Sequence, residues 1–299
     1  MKAKKIDQKP SETALFAALR RTIAYKEYNN DKFGPDYLAE IFLPPHFRFF
    51  LKFKKIRENT KKKLAQMMPG LTELIIARTA LFDNLFMDAL KNQTPQIVFL
   101  GSGYDSRAYR FAKSNKSTII YELDALPTQN RKIKCLKAAH INIPREVKYV
   151  PINFTNDSLG DVLKKAGYKS QEKTLFLWEG VSYYLDSDSV ERTLEYVGQL
   201  SHKESVIAYD YSISIPEEDR GMYYGVNEFM KSMKKHHANE ELVFTIKQGA
   251  IESFLMDRGL RMIEHLDNKG IELKYLVDNN GSLIGRITEN FRFVLASPL

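Results

Sequence analysis

The chain has 299 residues, a hydrophobic fraction of 43% and a formal net charge of +8. This length corresponds to one large or two small domains with enough apolar residues for a core. A single cysteine, Cys135, excludes an intramolecular disulfide and any multi-cysteine metal site. No apolar run approaches the ~18 residues that span a bilayer. The polar start has no secretory signal, so we expect a cytoplasmic protein without a membrane span.

Lysines concentrate at residues 2–9 and 52–63, and phenylalanines interleave with the second group: Phe47, Phe49, Phe50 and Phe53. We interpret this second group as a solvated, lysine-rich helix face whose aromatic side chains turn inward. The alternative is contact with nucleic acid or a membrane surface. No nucleic-acid motif of defined spacing accompanies the charge, which disfavours nucleic acid as a partner.

The first part of the chain is predicted to be mainly helical. Residues 1–10 are expected to form a tail, and apolar residues at every fourth position predict a helix over 12–27. Residues 28–48 contain Asn, Gly and Pro pairs that are typical of a loop. A long helix is predicted over 71–90. Arg78 lies on its apolar stripe, where it needs a partner, either a protein carboxylate or a ligand carboxylate.

From residue 96, strands and helices alternate, which is typical of a parallel sheet covered on both faces. The predicted strands are 96–100, 118–123, 147–151, 174–178, 205–210, 261–266 and 290–296. The predicted helices are 105–114, 127–140, 157–167, 187–201 and 248–258. The helix over 187–201 is expected to be capped by Asp186 or Ser187, with an inner face of Val190, Leu194, Val197 and Leu200. Residues 214–240 break the alternation and are predicted to form a substrate lid at the carboxyl edge of the sheet.

The most informative segment is the predicted strand over 96–100 and the turn that follows it. Gly101 and Gly103 let a ligand approach the backbone, and the next helix offers free N–H groups at its N-terminus. About twenty residues later a second strand ends in Asp124, and a carboxylate at that distance suits ribose hydroxyls. These features predict a nucleotide-type cofactor. Ser106 stands where a dinucleotide site would have its third glycine, which weakens an NAD assignment.

Several motifs follow one another in a fixed order. They are Arg78-Thr79 with Asp83, then Gly101-Ser102-Gly103-Tyr104-Asp105-Ser106-Arg107, then Tyr121-Glu122-Leu123-Asp124, then Trp178-Glu179-Gly180-Val181 with Tyr184-Leu185. This ordered set resembles the leucine carboxyl methyltransferase family, from about residue 11 to the C-terminus. The family uses S-adenosylmethionine. It includes the enzyme that esterifies the C-terminal leucine of protein phosphatase 2A, and bacterial and archaeal O-methyltransferases.

The resemblance implies an α/β fold of the Rossmann-like class I methyltransferase type. Its sheet would have seven mostly parallel strands, with an antiparallel last strand between the fifth and sixth. We expect a helical N-terminal cap at residues 1–90 packed on an S-adenosylmethionine-binding core at 91–299. The lid insertion would cover about 212–247.

The resemblance also implies which residues bind the cofactor. Arg78 would pair with the methionine carboxylate, and Glu179 would face the methionine amino group. Gly101 and Gly103 would allow close passage of the backbone, and Asp124 would hold the ribose hydroxyls. Each assignment has a structural alternative: a tight turn for the glycines, a helix cap for Asp124 and a surface carboxylate for Glu179.

Three further positions complete the implied cofactor site. Arg20 on the first helix could reach the cofactor carboxylate, with Arg21 as the alternative. Asn153 and Phe154 stand where the family usually has Asp-Leu beside the adenine. The amide oxygen of Asn153 can accept a hydrogen bond from the adenine amino group. The alternative is that Asn153 is only a turn residue.

Tyr183 and Tyr184 are the best candidates for lining the methyl-transfer site, with ordinary packing as the alternative. A carboxylate acceptor needs no general base, whereas a hydroxyl acceptor needs one. The six histidines, including the adjacent His236 and His237, show no metal-ligand spacing, so no metal is expected.

We therefore predict an S-adenosylmethionine-dependent O-methyltransferase. Its acceptor would be a carboxylate or hydroxyl of a small molecule or a protein C-terminus. The alternatives are an NAD(P)-dependent oxidoreductase on a Rossmann-like fold and a non-catalytic binding protein that retains the fold. Strand order separates the first two, because only a methyltransferase sheet places an antiparallel last strand between the fifth and sixth. The sequence does not predict the oligomeric state.

Overall fold

A computed structural model describes residues 9–28, 32–236 and 241–299. Most of the predicted tail, part of the predicted loop and lid, and His237 lie outside the described residues. The described α-helices are α1 (Glu12–Tyr28), α2 (Pro45–Phe50), α3 (Lys54–Met67), α4 (Leu71–Lys91), α5 (Arg107–Arg110), α6 (Leu126–Ala138), α7 (Leu159–Lys165), α8 (Ser187–Leu200), α9 (Val226–His236), α10 (Ile251–Met256) and α11 (Asn268–Tyr275).

The described strands form one seven-stranded sheet in the order β3-β2-β1-β4-β5-β7-β6. They are β1 (Gln96–Leu100), β2 (Ile119–Asp124), β3 (Val147–Pro151), β4 (Thr174–Trp178), β5 (Val206–Ser212), β6 (Leu260–Leu266) and β7 (Phe291–Pro298). Strands β1 to β5 pair in parallel, and β7 runs antiparallel between β5 and β6. This confirms the predicted fold class and the place of the last strand.

The core lies on both faces of the sheet because successive side chains of a strand point to opposite sides. In β1, Ile97 and Phe99 join the apolar cluster that includes α4, whereas Val98 and Leu100 join the cluster that includes α8. All five residues of β1 and of β4 are buried, as expected for central strands of a parallel sheet. The carboxyl ends of β1, β2 and β4 therefore meet at one rigid edge.

Helix α8 confirms part of the predicted packing. The Asp186 side chain accepts a hydrogen bond from the Ser189 N–H and so caps α8, as predicted. The predicted inner residues of α8 are buried up to Val197, but Leu200 is 61% exposed. Its assignment to the inner face is wrong: Leu200 is the last residue of α8, and the inner face of the helix ends before it.

Other helices also differ from the predicted elements. The helix predicted over 105–114 is only the four residues of α5 and a 3₁₀ turn at Ala112–Ser114. Helices α9 and α11 were not predicted. Part of the predicted loop forms α2, and α3 follows it.

The aromatic side chains of α2 and of the residue directly before α3 do not turn inward as predicted. Their exposed fractions are 42–55%, for Phe47, Phe49, Phe50 and Phe53. No residue of α2 is buried, and Leu64 is the buried residue of α3. These two helices therefore lie on the outside of the molecule, and the inward interpretation is wrong.

Candidate active site

A cavity of about 230 Å³ opens at the carboxyl edge of the sheet, beside β1, β2 and β4. The chain crosses from one side of the sheet to the other between β1 and β4, and open α/β sheets bind ligands at such a switch point. The wall includes residues from the turns after these three strands, from α1 and α4, and from the lid region. It contains every site residue predicted from the sequence: Arg20, Arg78, Gly101, Gly103, Asp124, Asn153, Phe154, Glu179, Tyr183 and Tyr184.

The glycine turn after β1 holds the carboxylate at the end of β2. Gly101 and Gly103 have φ angles of +83° and +46°, which glycine adopts without strain. The Gly103 N–H donates to Asp124 Oδ2 at 2.5 Å, and the Ala125 N–H donates to Oδ1 at 2.7 Å. These two bonds fix the Asp124 carboxylate at the cavity wall. A carboxylate has about four acceptor sites, so it can accept further hydrogen bonds.

Arg78 of α4 is buried and bound by carboxylates of the protein. Its Nη1 lies 2.8 Å from Asp210 Oδ2, and its Nε lies 3.1 Å from Glu179 Oε1. Burial alone would lower the pKa of the Arg78 guanidinium, but Asp210, Tyr183 and Glu179 raise it well above its usual range. The structure thus shows protein carboxylates as partners of Arg78, which was one of the two alternatives from the sequence. It leaves the proposed contact with a cofactor carboxylate as a prediction.

A second arginine completes this network. Arg107 Nη1 donates to Glu179 Oε2 at 2.6 Å, and its Nε donates to Asp83 Oδ1 at 2.7 Å. The same guanidinium also binds Asp105. Each oxygen of Glu179 therefore accepts from a different arginine, and this holds the carboxylate in one orientation at the cavity wall.

Gly180, directly after Glu179, lies against the guanidinium of Arg78. Its φ angle is +73°, and a β-carbon there would lie only 3.0 Å from Arg78 Nη1. The Gly180 N–H donates to Asp210 Oδ1 at 2.6 Å. Glycine at this position thus allows the close approach that the buried ion pairs require.

Arg20 of α1 differs from the other arginines of the cavity wall. It is fully buried, yet its Nε and Nη1 have no hydrogen-bond partner among the described residues. Its Nη2 contacts Met68 Sδ at 3.7 Å, and its guanidinium carbon lies 4.5 Å from the centre of the Phe16 ring. Burial lowers the pKa of Arg20 to about 10. Its neighbour Arg21, the sequence alternative, is instead bound to Asp36 at 2.9 Å.

The two candidate tyrosines lie side by side, with ring centres 4.7 Å apart. Tyr183 is buried, and its hydroxyl accepts from Arg78 Nη1 at 3.2 Å. Burial and the nearby Asp210 raise the pKa of Tyr183 well above its usual range. Tyr183 therefore stays protonated and cannot serve as a general base near neutral pH.

The loop after β3 contributes Asn153 and Phe154 to the cavity wall. The amide oxygen of Asn153 accepts hydrogen bonds from the N–H groups of Thr155 and Asn156, at 3.0 and 3.3 Å. Asn153 is thus a turn residue, which was the alternative considered from the sequence. Its hydrogen bond to the adenine amino group stays a prediction. Phe154 is half-buried and offers an apolar surface to the cavity.

Some residues of the site were missed at the sequence level. Asp210 was not singled out, although an acidic residue near the end of a buried strand is a recognisable signal. The apolar wall was also missed: it includes Phe229 and Met233 of α9 and Phe291 of β7. The two α9 residues belong to the predicted lid, so the lid region contributes directly to the cavity.

The part of the chain that the structure describes contains neither a group of metal-ligating side chains nor a membrane-spanning helix. Within residues 9–28, 32–236 and 241–299, no three His, Cys, Asp or Glu side chains come together as a metal site. None of the described helices has both the length and the apolar character needed to cross a bilayer.

Comparison with known proteins finds similarity to a methyltransferase family. Residues 14–198 match the family model described as leucine carboxyl methyltransferase. A protein from Mycobacterium sp. (strain KMS), named "Putative S-adenosyl-L-methionine-dependent methyltransferase", is 29% identical over 192 residues, which cover 62% of this chain and 61% of that protein. The protein YktD of Bacillus subtilis (strain 168), which has the same description, is 29% identical over 209 residues, covering 70% and 67%. The match to the first of these relatives thus spans about three fifths of its length.

Two crystal structures share the fold over nearly the whole chain. One is described as "a putative methyltransferase" from Thermobifida fusca YX, with a TM-score of 0.60, 14% identity and coverage of 97% of this chain and 95% of that chain. The other is a DUF574 family protein from Streptomyces avermitilis MA-4680, with a TM-score of 0.61, 12% identity and coverage of 98% of both chains. The oxidoreductase alternative finds no support in these matches or in the strand order.

Proposed function

Because this chain belongs to the leucine carboxyl methyltransferase family, we propose that it transfers the methyl group of S-adenosylmethionine to an acceptor oxygen. We further propose that this oxygen belongs to a carboxylate. One observation carries the proposal. The cavity contains the fully buried guanidinium of Arg20, which forms no salt bridge among the described residues although Glu73 acts on it electrostatically, on the same wall as the fixed carboxylate of Asp124.

The residues of the cavity fit this cofactor. An unpaired buried charge is costly, so Arg20 calls for an anionic ligand group such as the methionine carboxylate. Asp124 would bind the ribose hydroxyls, and Phe154 would pack against the adenine. Glu179 would attract the methionine amino group, with its carboxylate held by Arg78. When bound, S-adenosylmethionine supplies a methyl group on a positively charged sulfur that is already activated for displacement.

The chain's own contribution is then mainly alignment. Holding two reactants in line can lower a barrier by roughly 7–11 kcal/mol without any proton transfer. The doubly bound Glu179 and the Gly103-bound Asp124 would offer fixed negative charge to the positively charged amino and sulfonium groups of the cofactor. Fixed charges of this kind need no reorganisation during the reaction.

The lack of a suitable base favours a carboxylate acceptor. No histidine, lysine or cysteine is among the described residues of the cavity wall. Both oxygens of Glu179 are bound by arginines, and the raised pKa of Tyr183 keeps its hydroxyl protonated. A hydroxyl acceptor would need a base to remove its proton, whereas a carboxylate is already ionised at neutral pH.

Part of the cavity wall is apolar, and we assign the acceptor to this part. Leu71 and Ile75 of α4 lie on its wall together with Phe229, Met233 and Phe291. Such a wall binds the apolar part of a ligand while a few polar groups orient it. We therefore propose an acceptor with an apolar body and one carboxylate, either a small molecule or a protein C-terminus.

The experiment uses S-adenosylmethionine labelled on its methyl group and two matched acceptor panels. One contains apolar carboxylic acids, and the other contains the corresponding alcohols and phenols. Methyl esters release labelled methanol in mild alkali, whereas methyl ethers do not. We expect label in the acid panel, released by alkali, and its loss in Arg20→Met. The variant Arg145→Met is the matched control, since Arg145 is exposed, pairs with its neighbour Glu146 and does not line the cavity.

Three results would count against the proposal. Alkali-stable label from the alcohol panel would contradict the carboxylate acceptor. Binding of S-adenosylhomocysteine without transfer to any acceptor would favour a non-catalytic binding protein. Saturable binding of NAD, with none of S-adenosylhomocysteine, would contradict the cofactor itself.

A further inference from the structure

The positive charge of the chain is concentrated in one short segment. Residues 44–63 contain eight Lys or Arg and one Glu, a net charge of +7, whereas the whole chain carries +8. The remaining residues are therefore almost neutral. This segment, which we call the basic aromatic segment, comprises α2 and most of α3.

The same segment exposes a cluster of aromatic rings. Phe49 and Phe50 are 55% and 49% exposed, and Phe53 is 50% exposed. The Phe49 ring centre lies 5.7 Å from that of Phe50 and 5.5 Å from that of Phe53. Phe47, at 42% exposed, precedes them on α2. Neighbouring apolar side chains that face water together mark an interaction surface, because single exposed apolar residues are ordinary but groups are not.

The charges of this segment are mostly available to a partner. Arg57 pairs with Glu27 at 3.3 Å, and Lys54 lies 3.9 Å from Glu58. Among the described residues, no carboxylate pairs with the exposed lysines Lys52, Lys55, Lys62 and Lys63. The segment thus combines unneutralised lysines with partly exposed phenylalanines.

We propose that the basic aromatic segment binds the surface of an anionic lipid bilayer. The phenylalanine rings would enter the boundary between headgroups and acyl chains, and the lysines would contact lipid phosphates and carboxylates. This pairing of aromatic and basic side chains is characteristic of helices that lie in the bilayer interface. Near an anionic membrane, each basic residue strengthens binding by about fivefold.

The ring geometry favours lipid over nucleic acid. Single-stranded nucleic acid binds aromatic side chains by stacking its bases on open ring faces. The Phe49 ring is inclined by 72° to the rings of both Phe50 and Phe53. Phe49 therefore packs edge to face with both neighbours, and the three rings form an apolar cluster rather than a stack of adjacent parallel rings.

The test is cosedimentation of the full chain with vesicles of two compositions. One is phosphatidylcholine alone, and the other contains about one third phosphatidylserine, at an ionic strength of about 0.1 M. We expect binding to the anionic vesicles, at least tenfold stronger than to the neutral ones and weakened by added salt. A single-stranded oligonucleotide, followed by fluorescence anisotropy in the same buffer, is the competing probe.

Two double variants separate the aromatic and the electrostatic contributions. Phe49→Ser with Phe53→Ser should reduce vesicle binding at least tenfold, and Lys52→Gln with Lys55→Gln should also reduce it about tenfold or more. The matched controls alter exposed residues elsewhere: Leu200→Ser with Leu273→Ser, and Lys164→Gln with Lys165→Gln. They should bind as the unmodified chain does. Thermal melting verifies that each variant is folded.

Several outcomes would overturn the inference. These are equal binding to both vesicle types, no binding to either, or equal losses in the control variants. Tighter binding of the oligonucleotide than of the vesicles, lost on removal of Phe49 and Phe53, would instead assign the surface to nucleic acid. Because the readout is binding to lipid, none of these results depends on methyl transfer.

Discussion

Replacing Arg20 with methionine should stabilise the ligand-free protein and weaken cofactor binding. Burial lowers the pKa of Arg20 from 12.5 to about 10, and a tenfold change in a protonation constant equals about 1.4 kcal/mol, so the buried charge costs about 3 kcal/mol. Methionine loses the contact of the cation with the Phe16 ring, which is worth about 1–2 kcal/mol. The free energy of unfolding should therefore increase by about 1–2 kcal/mol, because methionine fills similar space without a charge.

The assay is thermal unfolding of Arg20→Met with and without S-adenosylhomocysteine. We expect the melting temperature of the ligand-free variant to rise by a few degrees. The rise caused by the ligand should shrink or vanish, because the guanidinium no longer pairs with the ligand carboxylate. The control Arg145→Met, at an exposed position away from the cavity, should leave both values unchanged. A lower melting temperature without ligand, together with a normal response to the ligand, would refute the reasoning and make Arg20 a structural residue.

Three further predictions concern the cavity wall. Asp124→Ala should weaken S-adenosylhomocysteine binding by about 1–3 kcal/mol in titration calorimetry, because the ribose hydroxyls lose their acceptor; unchanged affinity in a folded variant would contradict this. Gly180→Ala should lower the free energy of unfolding more than Gly249→Ala does in chemical denaturation. Both glycines have positive φ, but only the added β-carbon at position 180 would lie 3.0 Å from Arg78 Nη1. Equal losses would show that backbone strain alone is at work. Tyr183→Phe should keep the pH dependence of methyl transfer unchanged, and a shifted profile would show that its hydroxyl takes part in proton transfer.

The sheet and its functional edge were predictable from local patterns. Short apolar runs bounded by turns predicted all seven strands, because central strands of a parallel sheet are buried on both faces. Since carboxyl ends of parallel strands share an edge, the sequence also predicted that Gly101, Asp124 and Glu179 lie together. The structure brings these residues to one cavity.

The partners of buried charges were not predictable in the same way. Arg78 binds Asp210, which lies 132 positions away, and only the register of the folded sheet brings the two together. The absence of a partner for Arg20 is likewise a property of the tertiary structure. Periodicity alone did not reveal that the phenylalanines near α3 face outward, since apolar residues on a helix indicate a face but not what covers it.

The most direct test is a crystal structure of the protein with S-adenosylhomocysteine. The account predicts ligand density in the cavity at the carboxyl edge of the sheet, with ribose hydroxyls bound to Asp124 and the amino-acid carboxylate bound to the guanidinium of Arg20. An empty cavity at saturating ligand, or a bound ligand whose carboxylate lies away from Arg20, would contradict it.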